Sequence, residues 1–291
     1  MKTFSPIAAA VLLAVSGAAF AGGNTANQTQ VGIVNDADAV QTGPATWFNT
    51  INQTQFGLFN DAYAEQDVQL LSTITQTQLG AFNDANALQQ VGAFNSSTSL
   101  QIGIGNDAFT LQQAALLNSA SIFQAGAFNA SGIVQLLAVG NSASSTQVGA
   151  GNLQGTLQVA SFGSNADTTQ LGLFNVAGTV QTGIAQDSDI LQVGVANVAG
   201  VLQGGLGNSS SVNQFGALNL AGVSQAGAFN SQTTTQIGLL NGAGTAQLGI
   251  GHDSTTTQVG LLNGHLTTQV GLFENATALQ VGIGNTGSIM Q

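Results

Sequence analysis

Small and polar residues alternate with a period of two through most of this chain, in seven-residue segments that open on a polar residue and close on glutamine. Seven residues with that alternation match the length and pattern of a β-strand. The segments come in pairs, and the arc inside each pair is always four residues, x-G-x-x. Such an arc is too short for a crossover helix, and its glycine lets the chain turn sharply. The pattern predicts strands joined by tight arcs.

The unit repeats along nearly the whole chain. Q-x-G-x-x-N begins at Gln30, Gln55, Gln78, Gln101, Gln124, Gln147, Gln170, Gln192, Gln214, Gln236, Gln258 and Gln280. It closes at Asn35, Asn60, Asn83, Asn106, Asn129, Asn152, Asn175, Asn197, Asn219, Asn241, Asn263 and Asn285, and each Asn is followed six residues later by a second Gln, from Gln41 to Gln291. Successive copies are 25, 23 or 22 residues apart, and every departure from 22 lies in the second arc. That arc has seven residues after Gln41, five after Gln66, Gln89, Gln112, Gln135 and Gln158, and four thereafter. Fixed periods of this kind mark stacked repeats. The expected fold is all-β: a β-solenoid of about twelve 22-residue, two-stranded rungs, parallel and in register, of cross-β type. At about 4.8 Å per rung it would be ~55–60 Å long.

Alternation puts the opening polar residue, two intervening positions and the closing Gln on one face. The intervening positions are mostly small, as in Ala62/Ala64, Ala85/Ala87, Ala177/Thr179 and Ala276/Ala278. Plain hydrophobicity argues for the opposite face, because the residue after each primary Gln is apolar (Val31, Phe56, Leu79, Ile102). The small residues decide for the amide face inward: they let two sheets approach closely, while stacked Asn and Gln satisfy one another. The apolar residues, with Phe59, Phe82, Phe128 and Phe174, then line the arcs as an exposed contact surface.

Charge narrows the function. Only 4% of the 291 residues are charged, Lys2 is the sole basic residue, and there is no Cys and only two His. No basic patch is present for nucleic acid. No thiol chemistry or disulfide framework is possible, and few catalytic or metal constellations can be assembled. The reading is therefore of a non-enzyme without cofactor or metal. Residues 1–21 (MKTFSPIAAAVLLAVSGAAFA) read as a signal peptide with a basic start, a short apolar run and an A-x-A end. The remainder, 22–291, is expected to be exported as one repeat domain with no membrane insertion. Its first strand starts at Asn24 and its last ends at Gln291, so the expected stack lacks polar caps and has open edges that template further pairing.

Two Gln eleven residues apart with G-x-x-N between them, as in QFGLFNDAYAEQ (55–66) and QLGLFNVAGTVQ (170–181), resemble the repeat of curlins, the subunits of bacterial curli amyloid fibres. The resemblance covers residues 24–291. It implies a secreted subunit that crosses the outer membrane unfolded through a dedicated export pore, then polymerises with itself on a nucleator subunit. The product would be an extracellular biofilm and adhesion fibre on the surface of a Gram-negative cell. Repeats without basic residues suit the major, fibre-forming subunit. The competing reading is a monomeric β-solenoid that binds a surface as an adhesin or an ice-binding protein, for which the outward pairs Thr233/Thr235 and Thr255/Thr257 are the only motif.

Three features stand apart from the ladders. Asp36, Asp61, Asp84 and Asp107 each follow a pattern Asn and are expected to form one outward column, a charge brake on assembly that protons or divalent cations relieve. His252 and Glu274 occupy the same inward slot in adjacent rungs. The long arc QTGPATWFN (41–49) holds the only Trp.

Overall fold

The computed structural model describes residues 22–291, so the expected signal peptide lies outside the described residues. Those residues form twenty-four strands, from β1 (Thr25–Ile33) and β2 (Asp36–Thr42) to β23 (Asn275–Ile283) and β24 (Thr286–Met290). All odd-numbered strands form one twelve-stranded sheet and all even-numbered strands a second. Every pairing is parallel, and equivalent residues face each other: Gln30 pairs with Gln55 and Gln55 with Gln78 in the first sheet, Gln135 with Gln158 in the second. This is the β-solenoid that the repeat predicts, at about twelve coils.

Most of the strands are longer than seven residues. Typical is β13 (Asn165–Leu173), which continues past Gln170 through the first three arc residues. The reason lies in the repeat, since identical arcs on adjacent rungs keep pairing around the corner: Gly172 stands opposite Gly194 and Leu173 opposite Val195. Gly172 makes the corner with φ +132, a conformation that a side chain disfavours.

The next turn is made differently. The residue before each closing or opening polar residue is left-handed, and most are not glycine; Phe59 (φ 54), Phe128 (φ 55) and Leu240 (φ 58) are examples. The five-residue arcs add one more left-handed residue each, at Val68, Val91, Ala114, Leu137 and Ala160. Where the last of them meets a four-residue arc, β12 (Leu153–Phe162) and β14 (Val176–Ile184) shift register between Val159 and Ser161. The long arc is anchored from within: Thr46 is buried, its carbonyl accepts Asn24 Nδ2 at 2.8 Å, and its hydroxyl accepts the Val68 amide at 3.1 Å.

The two sheets close on a thin core in which a large residue on one sheet packs against a small one on the other. Ile51 and Ile74 pack with Ala64 and Ala87, and Ile122 and Ile133 with Ala108, Ala120 and Ala143. A third cluster holds Ile190 and Val212 with Ala177, Ala199 and Ala221. Between these clusters the interior is polar.

Candidate functional site

The chemistry of the molecule lies in its stacked amides. Gln78 Nε2 donates to Gln101 Oε1 at 2.9 Å, and Gln101 to Gln124 at 3.0 Å. The same bond joins each successive primary Gln from Gln30 to Gln280 at 2.8–3.0 Å. The other hydrogen of the amide crosses to a backbone carbonyl on the facing sheet, from Gln78 to Asp61 at 2.6 Å and from Gln147 to Ala130 at 3.0 Å. One amide thus ties each rung to the next and each sheet to the other, leaving neither hydrogen orphaned. The second Gln series does the same in its own sheet, from Gln41–Gln66 at 2.9 Å to Gln269–Gln291 at 3.2 Å.

The asparagines turn the corners. Asn83 Nδ2 donates to Asn60 Oδ1 at 3.1 Å and to the Gly103 carbonyl at 3.1 Å, while its Oδ1 accepts the Asn106 amide at 3.1 Å. That column runs from Asn35 to Asn285 at 2.9–3.1 Å. It donates toward the preceding rung, whereas the Gln columns donate toward the following one. From the second copy to the eleventh the ladder amides are fully buried; Gln30, Asn35, Gln280 and Asn285, with a neighbour on one side only, are half-buried. The apolar residues after Gln are outside, with Phe56 and Ile102 exposed.

A third glutamine ladder, short and beside the other two, was not anticipated. Gln28 donates to Gln53 at 2.8 Å and Gln53 to Gln76 at 2.9 Å, and Gln53 also donates to the carbonyls of Asp38 and Ala62. The signal was present as Q-T-Q at 28–30, 53–55 and 76–78, which places two amides on the same inward face.

Asp36, Asp61, Asp84 and Asp107 are register partners along the second sheet and line its outer face. Burial, then the neighbouring Asp36 and Asp38, push the Asp61 carboxyl above the ordinary range. Burial, then Asp107 and Asp61, do the same to Asp84, and burial alone to Asp107. On the first sheet Asp189 is raised by burial and by Asp187 and Asp167, a second acidic group that the sequence shows as D-x-D at 187–189. Beside the main column, Tyr63 donates to Glu65 at 2.7 Å, and its phenol is pushed up to about 12.

A carboxyl that titrates higher when folded costs the stack stability above that raised value. The cost fades as pH falls toward the unfolded value of about 3.9. His265 acts in the opposite sense: burial lowers its pKa, so acid charges it at the expense of the fold. The clean comparison is therefore between variants at one pH. Asp61→Asn/Asp84→Asn/Asp107→Asn should raise the urea midpoint at pH 7 and leave it unchanged at pH 3.5, measured by circular dichroism. Equal midpoints at both values would remove the charge brake.

His252 and Glu274 are stacked neighbours, as expected. His252 is buried with Nδ1 3.5 Å from Glu274 Oε2, and its Nε2 lies 3.2 Å from the Leu248 carbonyl. The Glu274 amide donates to Nδ1 at 3.4 Å, as the amides of Asn49 and Asn118 donate to the side chain one rung before them.

The geometry defines a class, an in-register parallel β-solenoid held by continuous amide ladders. Within it, the family model described as the curlin associated repeat matches residues 187–216. These span β15 (Asp187–Val195), β16 (Val198–Leu206) and nearly all of β17 (Ser209–Ala217). No curated protein matches the chain. The repeat match and the solenoid together fit a curlin-like repeat protein.

Proposed function

We propose that this chain is a secreted structural subunit that stacks head-to-tail on copies of itself into extracellular curli-type amyloid fibres. The carrying observation is that each rung presents the next with the same amides in the same register, so that a rung is a template for its own pattern. A second copy set on β1/β2 or on β23/β24, each paired on one side among the described residues, would extend all the ladders without new chemistry. Export through an outer-membrane pore, a nucleating partner, the major-subunit role and a place in biofilm matrix belong to the same reading, on the resemblance of the repeat. No observation favours the monomeric alternative, because the outward threonine pairs give way to Ser211/Asn213 one rung before Thr233/Thr235.

Purified residues 22–291 should elongate seeded fibres that bind thioflavin and diffract at about 4.8 Å along the fibre axis. Protein that stays monomeric at high concentration, seeded or not, would sink the reading.

A further inference from the structure

On the outer face of the second sheet, Gly132, Gly155, Gly178, Gly200, Gly222 and Gly244 fall in register on six successive strands. They floor a trough of about 820 Å³, walled on one side by Val134, Leu157, Val180 and Leu202, with no charged residue along it. On the other side of the glycines the next outward column is Leu153, Val176, Val198 and Leu220, in register and all substantially exposed. The trough is closed at its ends, because Phe109 occupies the floor position next to Gly132 and Leu266 the one next to Gly244.

Nothing inside the fold asks for these glycines. Gly132, Gly155, Gly178, Gly200 and Gly222 lack the positive φ of the corner glycines, and a Cβ on any of them would meet nothing within 4 Å. Earlier rungs carry Tyr63, Asn86 and Phe109 in the same column. Each glycine costs a strand roughly 0.5–1 kcal/mol against alanine, so the tract has its use in the close approach of something outside.

We propose that the trough receives the apolar edge of a second copy of this chain lying alongside. That edge carries Phe128, Phe174, Leu218 and Leu240 at one position of the first arc, between 43% and 69% exposed and without a charge among them. Ridge and trough share the same inter-rung step of about 4.8 Å, so each large side chain of the ridge, which Gly151 and Ala196 interrupt, falls opposite a rung of the trough. Inside the molecule the same pairing already exists, for Phe128 lies over Gly105 and Phe174 over Gly151, within 2.8 Å of where a Cβ would stand. A flat sheet would be held off the floor by Tyr63, Phe109 and Leu266, whereas a narrow edge enters between the flanking columns. Two Phe and two Leu buried this way, with the trough surface that they cover, would bury roughly 1,000 Å² in total, the lower limit for a specific interface. One such contact is weak, but side-by-side stacks sum it along their length. In that respect the inference rests on the head-to-tail reading.

The edge-to-face contact is heterologous and does not close on itself, so it gives sheets and bundles of fibres rather than pairs. Gly155→Leu/Gly178→Leu/Gly200→Leu fills the trough, and its fibres should elongate and bind thioflavin at wild-type rates. By electron microscopy they should stay single where wild-type fibres bundle; triple-variant bundles of wild-type width would overturn the proposal. Because the chain has no Cys, Phe174→Cys and Gly178→Cys proteins can be joined by a short bismaleimide. Cross-linked dimers are expected only in the mixture. Dimers of Gly178→Cys alone would mean face-to-face packing, and organic extract of wild-type protein yielding stoichiometric hydrocarbon, with no cross-link in the mixture, would mean a small-molecule trough; either overturns it. If no fibres form at all the stacking reading fails, and the mixed cross-link on soluble protein still decides the trough.

Discussion

Gly172→Ala should cost the stack about 4 kcal/mol or more, while Gly178→Ala, in the facing strand of the same rung, should be neutral or stabilising by up to ~1 kcal/mol. At Gly172 a Cβ would stand 1.9 Å from the Gly194 carbonyl oxygen on a backbone at φ +132. Neither partner can move, because both belong to ladders that continue on each side. At Gly178 the same methyl meets open space, and alanine narrows the unfolded ensemble. Urea unfolding of the two variants measures the difference directly. Comparable losses would show that the corner is not set by backbone approach.

Gln147→Ala should be nearly as severe, at about 3–5 kcal/mol. The side chain is fully buried, accepts from Gln124 at 2.8 Å, and donates to Gln170 at 2.8 Å and to the Ala130 carbonyl at 3.0 Å. Alanine leaves a donor and two acceptors without partners at roughly 1–3 kcal/mol each and opens a cavity between the sheets. Gln147→Glu should be at least as damaging, since the carboxylate keeps the volume but offers no hydrogen to Gln170 or Ala130. By contrast Gln113→Ala, exposed on the second arc, should change stability by less than about 0.5 kcal/mol. Hydrogen exchange should show the loss from Gln147→Ala centred on the rungs on either side, and uniform protection would contradict the ladder account.

Much of this was legible in the chain, and for a specific reason. When the same pattern recurs at a fixed spacing, strand length, register and inward face become one question asked twelve times, and Ala62/Ala64 and Ala85/Ala87 answer it together. Small residues settled the face against the hydrophobic count, and the buried Gln columns lie where that argument put them. The sequence was less informative wherever backbone rather than side chain decides. Nothing in the identities of Phe59, Phe128 or Leu240 announces a left-handed conformation, because those residues adopt it only under the constraint of the rungs above and below. Likewise Gly172 and Gly178 are the same letter, and only the neighbouring carbonyl distinguishes an obligatory glycine from a dispensable one. The third glutamine ladder was missed because Gln28, Gln53 and Gln76 sit at positions that are small in most other rungs.

The left-handed residues before the corners carry a kinetic consequence. Among the described residues, twenty-one non-glycine residues hold positive φ, at a cost of roughly 1–2 kcal/mol for each departure from the ordinary regions. All the sheet hydrogen bonds run between rungs rather than within one. In a nearest-neighbour description of a linear array, each unit then has an unfavourable intrinsic term and a strongly favourable coupling to the next. Chains of that kind show a high barrier to the first coupled pair and downhill addition afterwards. A lone coil of this protein has no reason to fold, and the delay before it does should shorten sharply when a finished coil is supplied.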